Sequence, residues 1–166
     1  MGVRLFKKVK HPGAGVSALA DQTKMARQFI QAIPHARALG MELTEIGNGQ
    51  AAITMPYADH IVGDPKTGVI HGGAVSAVMD TCCGAAVMSH PSGPTGTATI
   101  DLRIDYMRAA TPGQAVTARA TCYHVGRSVA FVRATATDVD TGNPVATASG
   151  SFTVESQSGA FLDKGK

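Results

Sequence analysis

Hydrophobic and polar residues change their period several times along the chain, and each change marks an element. In residues 21–33 the apolar groups are Met25, Phe29, Ile30 and Ile33, a helical spacing with Asp21 or Thr23 as candidate caps. Pro34 interrupts that helix, and a short second turn, HARALG, leads to Gly40. The period then falls to two. ELTEIGNGQAAITMPYA sets Gly47, Asn48 and Gly49 between strand-like runs and predicts a hairpin. Residues 59–73, DHIVGDPKTGVIHGG, are rich in Gly, Pro and Asp and read as a loop. From His71 onward HGGAVSAVMDTCCGAAVMSH is apolar at nearly every step, which predicts a long buried helix, ended by HPSGPTG.

The remainder alternates. In TATIDLRIDYM, Ile100, Leu102, Ile104 and Tyr106 fall on one face, and Thr99, Asp101, Arg103 and Asp105 on the other. TPGQ makes a turn. QAVTARATCYHV, SVAFVRATATDV and PVATASGSFTV follow, separated by Gly126-Arg127 and by DTGNP. Short links make neighbouring strands antiparallel. Helix, hairpin, long helix and four strands describe an α+β domain, in which a sheet of five to six antiparallel strands wraps one central helix.

A length of 166 residues suits one domain. Residues 1–20 read as a flexible basic leader, with Arg4, Lys7, Lys8 and Lys10 and no acid before Asp21; residues 21–166 form the single domain. Aromatic residues are 5% and tryptophan is absent, so the core is packed from small side chains. A formal charge of +3 without a dense basic stripe is far from a nucleic-acid footprint, so no nucleic-acid partner is expected. The leader lacks the apolar stretch of a secretory signal, and Phe6 stands where a myristoylation site takes Ser or Thr. No run reaches the ~18 apolar residues of a membrane span. The expectation is a cytoplasmic protein with no membrane partner. Cys82, Cys83 and Cys122, odd in number and two of them adjacent, read as reduced thiols.

Between His71 and His90 the only carboxylate is Asp80. Gly73 precedes it by seven residues, about two helical turns, so both share a face but lie about 10 Å apart along the axis. Antiparallel packing of two copies about a twofold axis would bring the helix N-terminus of one to Asp80 of the other, giving two identical composite sites. Helix N-termini offer unpaired N–H groups and partial positive charge, and Gly72 and Gly73 admit a ligand close to the backbone. That combination stabilises an oxyanion. A carboxylate facing it in an apolar setting is a stronger base or nucleophile, so the implied chemistry is attack on a polarised carbonyl. The plain structural alternatives are a buried acid bonded to backbone or hydroxyls for Asp80, and tight packing for the glycines. Cys82 and Cys83 with His90 read as small buried side chains rather than a thiol nucleophile. The histidines show no zinc spacing, and neither a GxSxG elbow nor a Walker loop occurs.

HGGAVSAVMD followed by TIDLRIDYMRAA resembles the acyl-CoA thioesterases of the hotdog fold, the PaaI type, over residues 39–154. The resemblance implies a curved antiparallel sheet around a long helix, working as a homodimer or homotetramer. It implies hydrolysis of an acyl-CoA, of aryl-acetyl or medium-chain class, with no metal and no cofactor beyond the coenzyme A of the substrate. Asp80 would be base or nucleophile, and the Gly73 N–H would polarise the thioester carbonyl in the neighbouring subunit's site. His71 and Gly72 would shape the turn into the helix, and Thr99 would help place the attacking water. Gly126, Arg127 and Ser128 match a turn near the nucleotide end of coenzyme A. One position departs from the pattern: Asp64 stands where many relatives carry an asparagine that donates to the thioester oxygen. An ionised carboxylate cannot donate. Asp64 is therefore turned away, or protonated, or the second donor is missing. Two rival readings remain: a hotdog hydratase or dehydratase on acyl thioesters, and a non-catalytic dimer that binds acyl-CoA.

Overall fold

Pro34 starts a helix as well as stopping one. Residues 30–32 are helical, the chain bends at Ile33, and α1 (Pro34–Ala38) begins with the proline in its first turn, where a missing N–H costs nothing. Gly40, at φ +64°, then turns the chain into the sheet. In this computed structural model the described residues are 30–155, with Ala26 and Gln28 before them. The expected leader over 1–20 and most of the helix expected over 21–33 lie outside them.

The hairpin forms as the pattern predicts. β1 (Glu42–Gly47) and β2 (Gln50–Met55) join through Asn48 and Gly49, at φ +52° and +75°, left-handed values that asparagine and glycine tolerate best. Residues 59–73 are not a plain loop. They carry a turn of 3-10 helix (Asp59–Ile61) and a separate two-stranded ribbon of β3 (Val62–Asp64) and β4 (Val69–Ile70). The short ribbon is closed by backbone N–H groups of Thr67 and Gly68 that donate to the Asp64 carbonyl.

The long helix α2 (Gly72–Met88) follows, then β5 (Thr99–Tyr106), β6 (Val116–Val125), β7 (Val129–Thr137) and β8 (Ala146–Thr153). One antiparallel sheet of six strands results, in the order β1-β2-β6-β7-β8-β5. Its face toward α2 is paved with alanine. The register sets Ala118, Ala136 and Ala146 in one row across three strands and Ala120, Ala134 and Ala148 in the next. All six are buried. The low floor lets α2 sit close enough for the Cys82 thiol to reach the carbonyl oxygens of Ala51 and Ala118, both at 3.3 Å. Phe152, Met79, Val78 and Val132 fill what the alanines leave. Among the described residues no helix is long and apolar enough to cross a membrane.

β5 departs from simple alternation at its start. Thr99 pairs with Phe152 and Asp101 with Ser151, so Ile100 is an extra residue, a bulge. Phe152 is buried, and Thr99 opposite it faces the helix with Leu102, Ile104 and Tyr106. Ile100, which the alternation set on one face with Leu102, Ile104 and Tyr106, is 55% exposed.

Behind β5 the chain is anchored by an ion pair that sequence reading did not single out. The Asp138 carboxylate accepts two bonds from the Arg108 guanidinium at 2.7 Å each, and others from Thr111 and the Asp140 N–H. Asp138 is the one buried charged side chain among the described residues. The guanidinium above all, and the Thr111 and Asp140 donors, hold its carboxyl well below the usual carboxylate range against the opposing effect of burial. Removing one member of such a pair leaves buried donors or charge uncompensated. Asp138→Ala is expected to lower the unfolding free energy by about 3 kcal/mol, measured by urea denaturation at pH 7. A carboxyl depressed in the folded state stabilises above its unfolded value, about pH 4, and loses that contribution as pH falls further. The gap between wild type and variant should therefore narrow in acid. A gap constant down to pH 2 would contradict this account.

Candidate active site

The helix is not apolar all round. Gly73 is exposed, and Ser76, Ala77, Asp80, Thr81 and Gly84 are only partly buried, while Val75, Val78, Met79, Cys82, Cys83 and Ala86 are buried. Steps of three and four residues make the first set one stripe along α2. This stripe carries Asp80, so the acid does not sit in the buried face that the run of alanines, valines and methionines suggests. Edge strand β5 runs beside it. The Thr99 hydroxyl donates to Asp80 Oδ1 at 2.7 Å. The bulge at Ile100 makes that bond possible, because in strict alternation Thr99 would point away.

Two turns earlier a second cluster forms at the start of the helix. His71 is the N-cap, with extended backbone, and its Nδ1 accepts the Gly73 N–H at 2.9 Å. The ring therefore occupies the N–H expected to face an oxyanion. Gly63 holds His71 in place: the His71 N–H donates to the Ile61 carbonyl, and a Cβ at Gly63 would lie 2.8 Å from His71 Cα. From the other side Tyr106 donates its hydroxyl to the Gly72 carbonyl at 2.6 Å and lies 2.6 Å from the Ser76 hydroxyl. Neither Tyr106 nor Ser76 stood out in the sequence, although the alternation of β5 already put Tyr106 on the helix side.

The remaining expected residues lie outside these two clusters. Asp64 spends its carboxylate on its own turn: Oδ1 accepts from the Lys66 N–H at 3.0 Å, and Oδ2 from the Thr67 hydroxyl at 2.8 Å. Those bonds, Thr67 first, hold its carboxyl below the ordinary value, which removes the protonated reading. Gly126, Arg127 and Ser128 form the β6–β7 turn, closed by the Gly126 N–H on the Val129 carbonyl. Strand pairing puts that turn at the same end of the sheet as Thr99 and Phe152, and opposite Tyr106. The cysteine thiols are inert by burial, which pushes Cys82 up to about 12 and Cys83 higher still. Among the described residues no group of His, Cys, Asp or Glu could hold a metal ion.

A cleft of about 350 Å³ opens beside the helix N-terminus, lined mainly by apolar groups such as Val69, Ile70, Val75 and Val145, with Tyr106 and Arg108 also on its wall. A hollow of about 390 Å³ lies over the hairpin near Glu45 and Arg119, and none of the expected site residues lines it.

Known proteins resemble this chain in sequence and fold. The sequence model of the thioesterase superfamily matches residues 67–145, which include the HGG turn, Asp80 and β5. A crystal structure of a Pseudomonas aeruginosa protein is 37% identical, with a TM-score of 0.71, and the match covers 79% of this chain and 97% of that one. The medium/long-chain acyl-CoA thioesterase YigI of Escherichia coli K12 is 28% identical over 122 residues, 66% of this chain and 78% of the relative. The Escherichia coli PaaI protein of the phenylacetic acid degradation operon superimposes with a TM-score of 0.72 at 22% identity, over 86% of this chain and 97% of that one. At that identity the likeness to PaaI concerns the fold, which is the hotdog. The chain belongs to the thioesterase superfamily, and it is a thioester hydrolase.

Because Nδ1 of His71 accepts, the neutral ring must carry its proton on Nε2. Nitrogen-15 NMR of the imidazoles is expected to show the neutral His71 ring as the Nε2–H tautomer. An Nδ1–H signal would mean that the ring does not cap the helix.

Proposed function

We propose that this chain is an acyl-CoA thioesterase that hydrolyses an acyl-CoA, of aryl-acetyl or medium-chain class, to a free acid and coenzyme A. The observation that carries the reading is the Thr99 to Asp80 bond on an open helical stripe that also bears Gly73. The hydroxyl satisfies one carboxylate oxygen and fixes the rotamer, which leaves the other oxygen to take a proton from water or to attack the carbonyl itself. In the first route water adds to the thioester carbon, its proton passes to Asp80, and the thiolate of coenzyme A leaves. In the second Asp80 adds to the thioester carbon and the thiolate of coenzyme A leaves, giving an acyl-Asp80 anhydride that water then cleaves to the free acid and the Asp80 carboxylate. Both give the same products, and neither needs a metal or a cofactor other than the coenzyme A of the substrate.

Gly73 and Asp80 of one chain are too far apart along the helix to serve one carbonyl. The site is therefore shared between subunits of a homodimer, or of a homotetramer built from it, with the Gly73 N–H of one facing Asp80 of the other. Edge strand β5 suits that interface. Among the described residues it is unpaired on one side, and Ile100, Tyr106 and Met107 are exposed on or beside it. On substrate entry the His71 ring must leave the Gly73 N–H. Asp64 supplies no donor, so the oxyanion rests on the helix N-terminus. The largely apolar cleft beside Gly72 would accommodate an acyl chain, in keeping with a relative that is named for medium and long chains. Gly126, Arg127 and Ser128 lie at the end of the sheet nearer Asp80, where the nucleotide half of coenzyme A would extend. The three free cysteines suit a reducing cytoplasm.

Release of coenzyme A from a panel of acyl-CoAs, followed with a thiol reagent, tests this. Wild type should turn over, and Asp80→Asn should lower kcat by ~10²–10⁴ while still binding the substrate. Equal activity of the two proteins would remove Asp80 from the mechanism. Light scattering should give a mass at least twice the 17.0 kDa of one chain. An active monomer would exclude the shared site.

A further inference from the structure

The Gly72–Gly73 peptide is gripped from its carbonyl side, and this grip has a consequence for the N–H on its other side. The Gly72 carbonyl and the Gly73 N–H belong to one planar trans peptide, so they point in opposite directions and turn together. Tyr106, from β5, donates to that carbonyl at 2.6 Å, and the Ser76 hydroxyl approaches it at 3.2 Å from one turn along α2. Ser76 and Tyr106 are also within 2.6 Å of each other. Each hydroxyl has one hydrogen. With the Tyr106 hydrogen on the carbonyl, Ser76 donates to the Tyr106 oxygen, and the pair forms a chain that ends on Gly72.

We infer that Tyr106 is a positioning residue for the thioesterase reaction, aiming the Gly73 N–H by holding the carbonyl of the same peptide. This rests on the reading of that N–H as the oxyanion donor. Two physical effects act together. A glycine pair at a helix start has the backbone freedom to tilt, and a short hydrogen bond from a rigid phenol removes that freedom. A hydrogen bond accepted by a peptide carbonyl also polarises its N–H, which strengthens the bond the N–H donates. The gain is realised where the substrate oxygen becomes negative, in the transition state, and much less in the bound ground state. Tyr106 should therefore act on kcat rather than on KM. His71 cannot replace it, because its ring holds the N–H end that a substrate oxygen must take.

Tyr106→Phe is the discriminating variant, because it keeps the ring beside Gly72 and deletes only the hydroxyl. With an acyl-CoA that wild type hydrolyses, it is expected to lower kcat about 10- to 100-fold, to leave KM within about twofold, and to leave the thermal midpoint unchanged. The Gly73 amide nitrogen resonance, read on wild type and variant without substrate, should shift when the hydroxyl is removed. Ser76→Ala should show the same pattern more weakly. Wild-type turnover with full kcat in Tyr106→Phe would overturn the inference and leave the thioesterase reading intact. A parallel fall in kcat and thermal midpoint would assign Tyr106 to folding alone and overturn it too. An unmoved Gly73 resonance would overturn it whether or not any acyl-CoA is hydrolysed. Absence of wild-type turnover across the panel would overturn the thioesterase reading and, with it, the catalytic meaning of the grip.

Discussion

The seat of α2 on an alanine floor is the constraint from which the rest of the structure follows. Three strands present alanine in register, row against row, and a helix rich in alanine, valine and cysteine lies on them. Small side chains on both partners bring the axis of the helix close to the sheet, close enough for a thiol on α2 to bond two strand carbonyls. Dispersion contacts and removal of apolar area from water then act over the whole length of the helix. A larger residue in either row would force the helix away by a side-chain width, a change that close-packed interiors resist. The helix is thereby fixed in rotation as well as height. Its buried face is spoken for, and the opposite stripe, from Gly73 through Asp80 to Gly84, is turned toward the open edge of the sheet.

What stands on that stripe is set by one strand. β5 runs antiparallel to α2 and touches it with two hydroxyls, Thr99 at Asp80 and Tyr106 at Gly72. Between them, Leu102 and Ile104 pack on the core. The bulge at Ile100 shifts the strand by one residue, so that a threonine faces the acid where an isoleucine would otherwise stand. An isoleucine there would leave an ionisable group beside an aliphatic side chain with one fewer hydrogen-bond partner, which is costly. The same residue shift turns Ile100 outward onto the free edge. A single backbone irregularity thus supplies a polar partner to Asp80 and an apolar surface to the edge strand. Bulges are common at such functional edges for this reason.

Much of this was legible in the chain. The change of period from 3.6 to 2 located the hairpin and the four later strands, because alternating burial is what an antiparallel sheet with one covered face requires. The length and apolarity of the run after His71 located the helix, and the seven-residue spacing put Gly73 and Asp80 on one face. Other features were hidden for physical reasons. The bulge is invisible because TIDLRIDY alternates without a break, and only the pairing with β8 reveals that Ile100 is extra. The short ribbon at Val62–Ile70 is too brief for a periodic signal, and Gly, Pro and Asp at its turn imitate a loop. The bond between His71 and Gly73 depends on a ring rotamer, which no spacing encodes. The pairing of Arg108 with Asp138 joins residues thirty apart, and its burial follows from strand order alone.

The position of Asp64 shows how the two ends of the site constrain each other. Its carboxylate is held ionised by its own turn, and an anion placed beside a developing oxyanion would oppose the reaction. By bonding Lys66 and Thr67 it directs its charge into the turn it closes. The adjoining residue, Gly63, lies against His71. The loop therefore contributes shape to the helix N-terminus instead of a donor. In the proposed reaction Asp64 is no donor, so stabilisation of negative charge would fall to the peptide groups of the first helical turn. Peptide donors at a helix start are effective only when their direction is fixed, since an N–H that can tilt must be reoriented during the reaction. That requirement falls on the Gly72–Gly73 peptide, because two glycines leave its backbone the least restricted by side chains. The Tyr106 hydroxyl on its carbonyl, backed by Ser76, meets it, so in the proposed reaction the departure at Asp64 and the grip at Gly72 are two sides of one electrostatic arrangement.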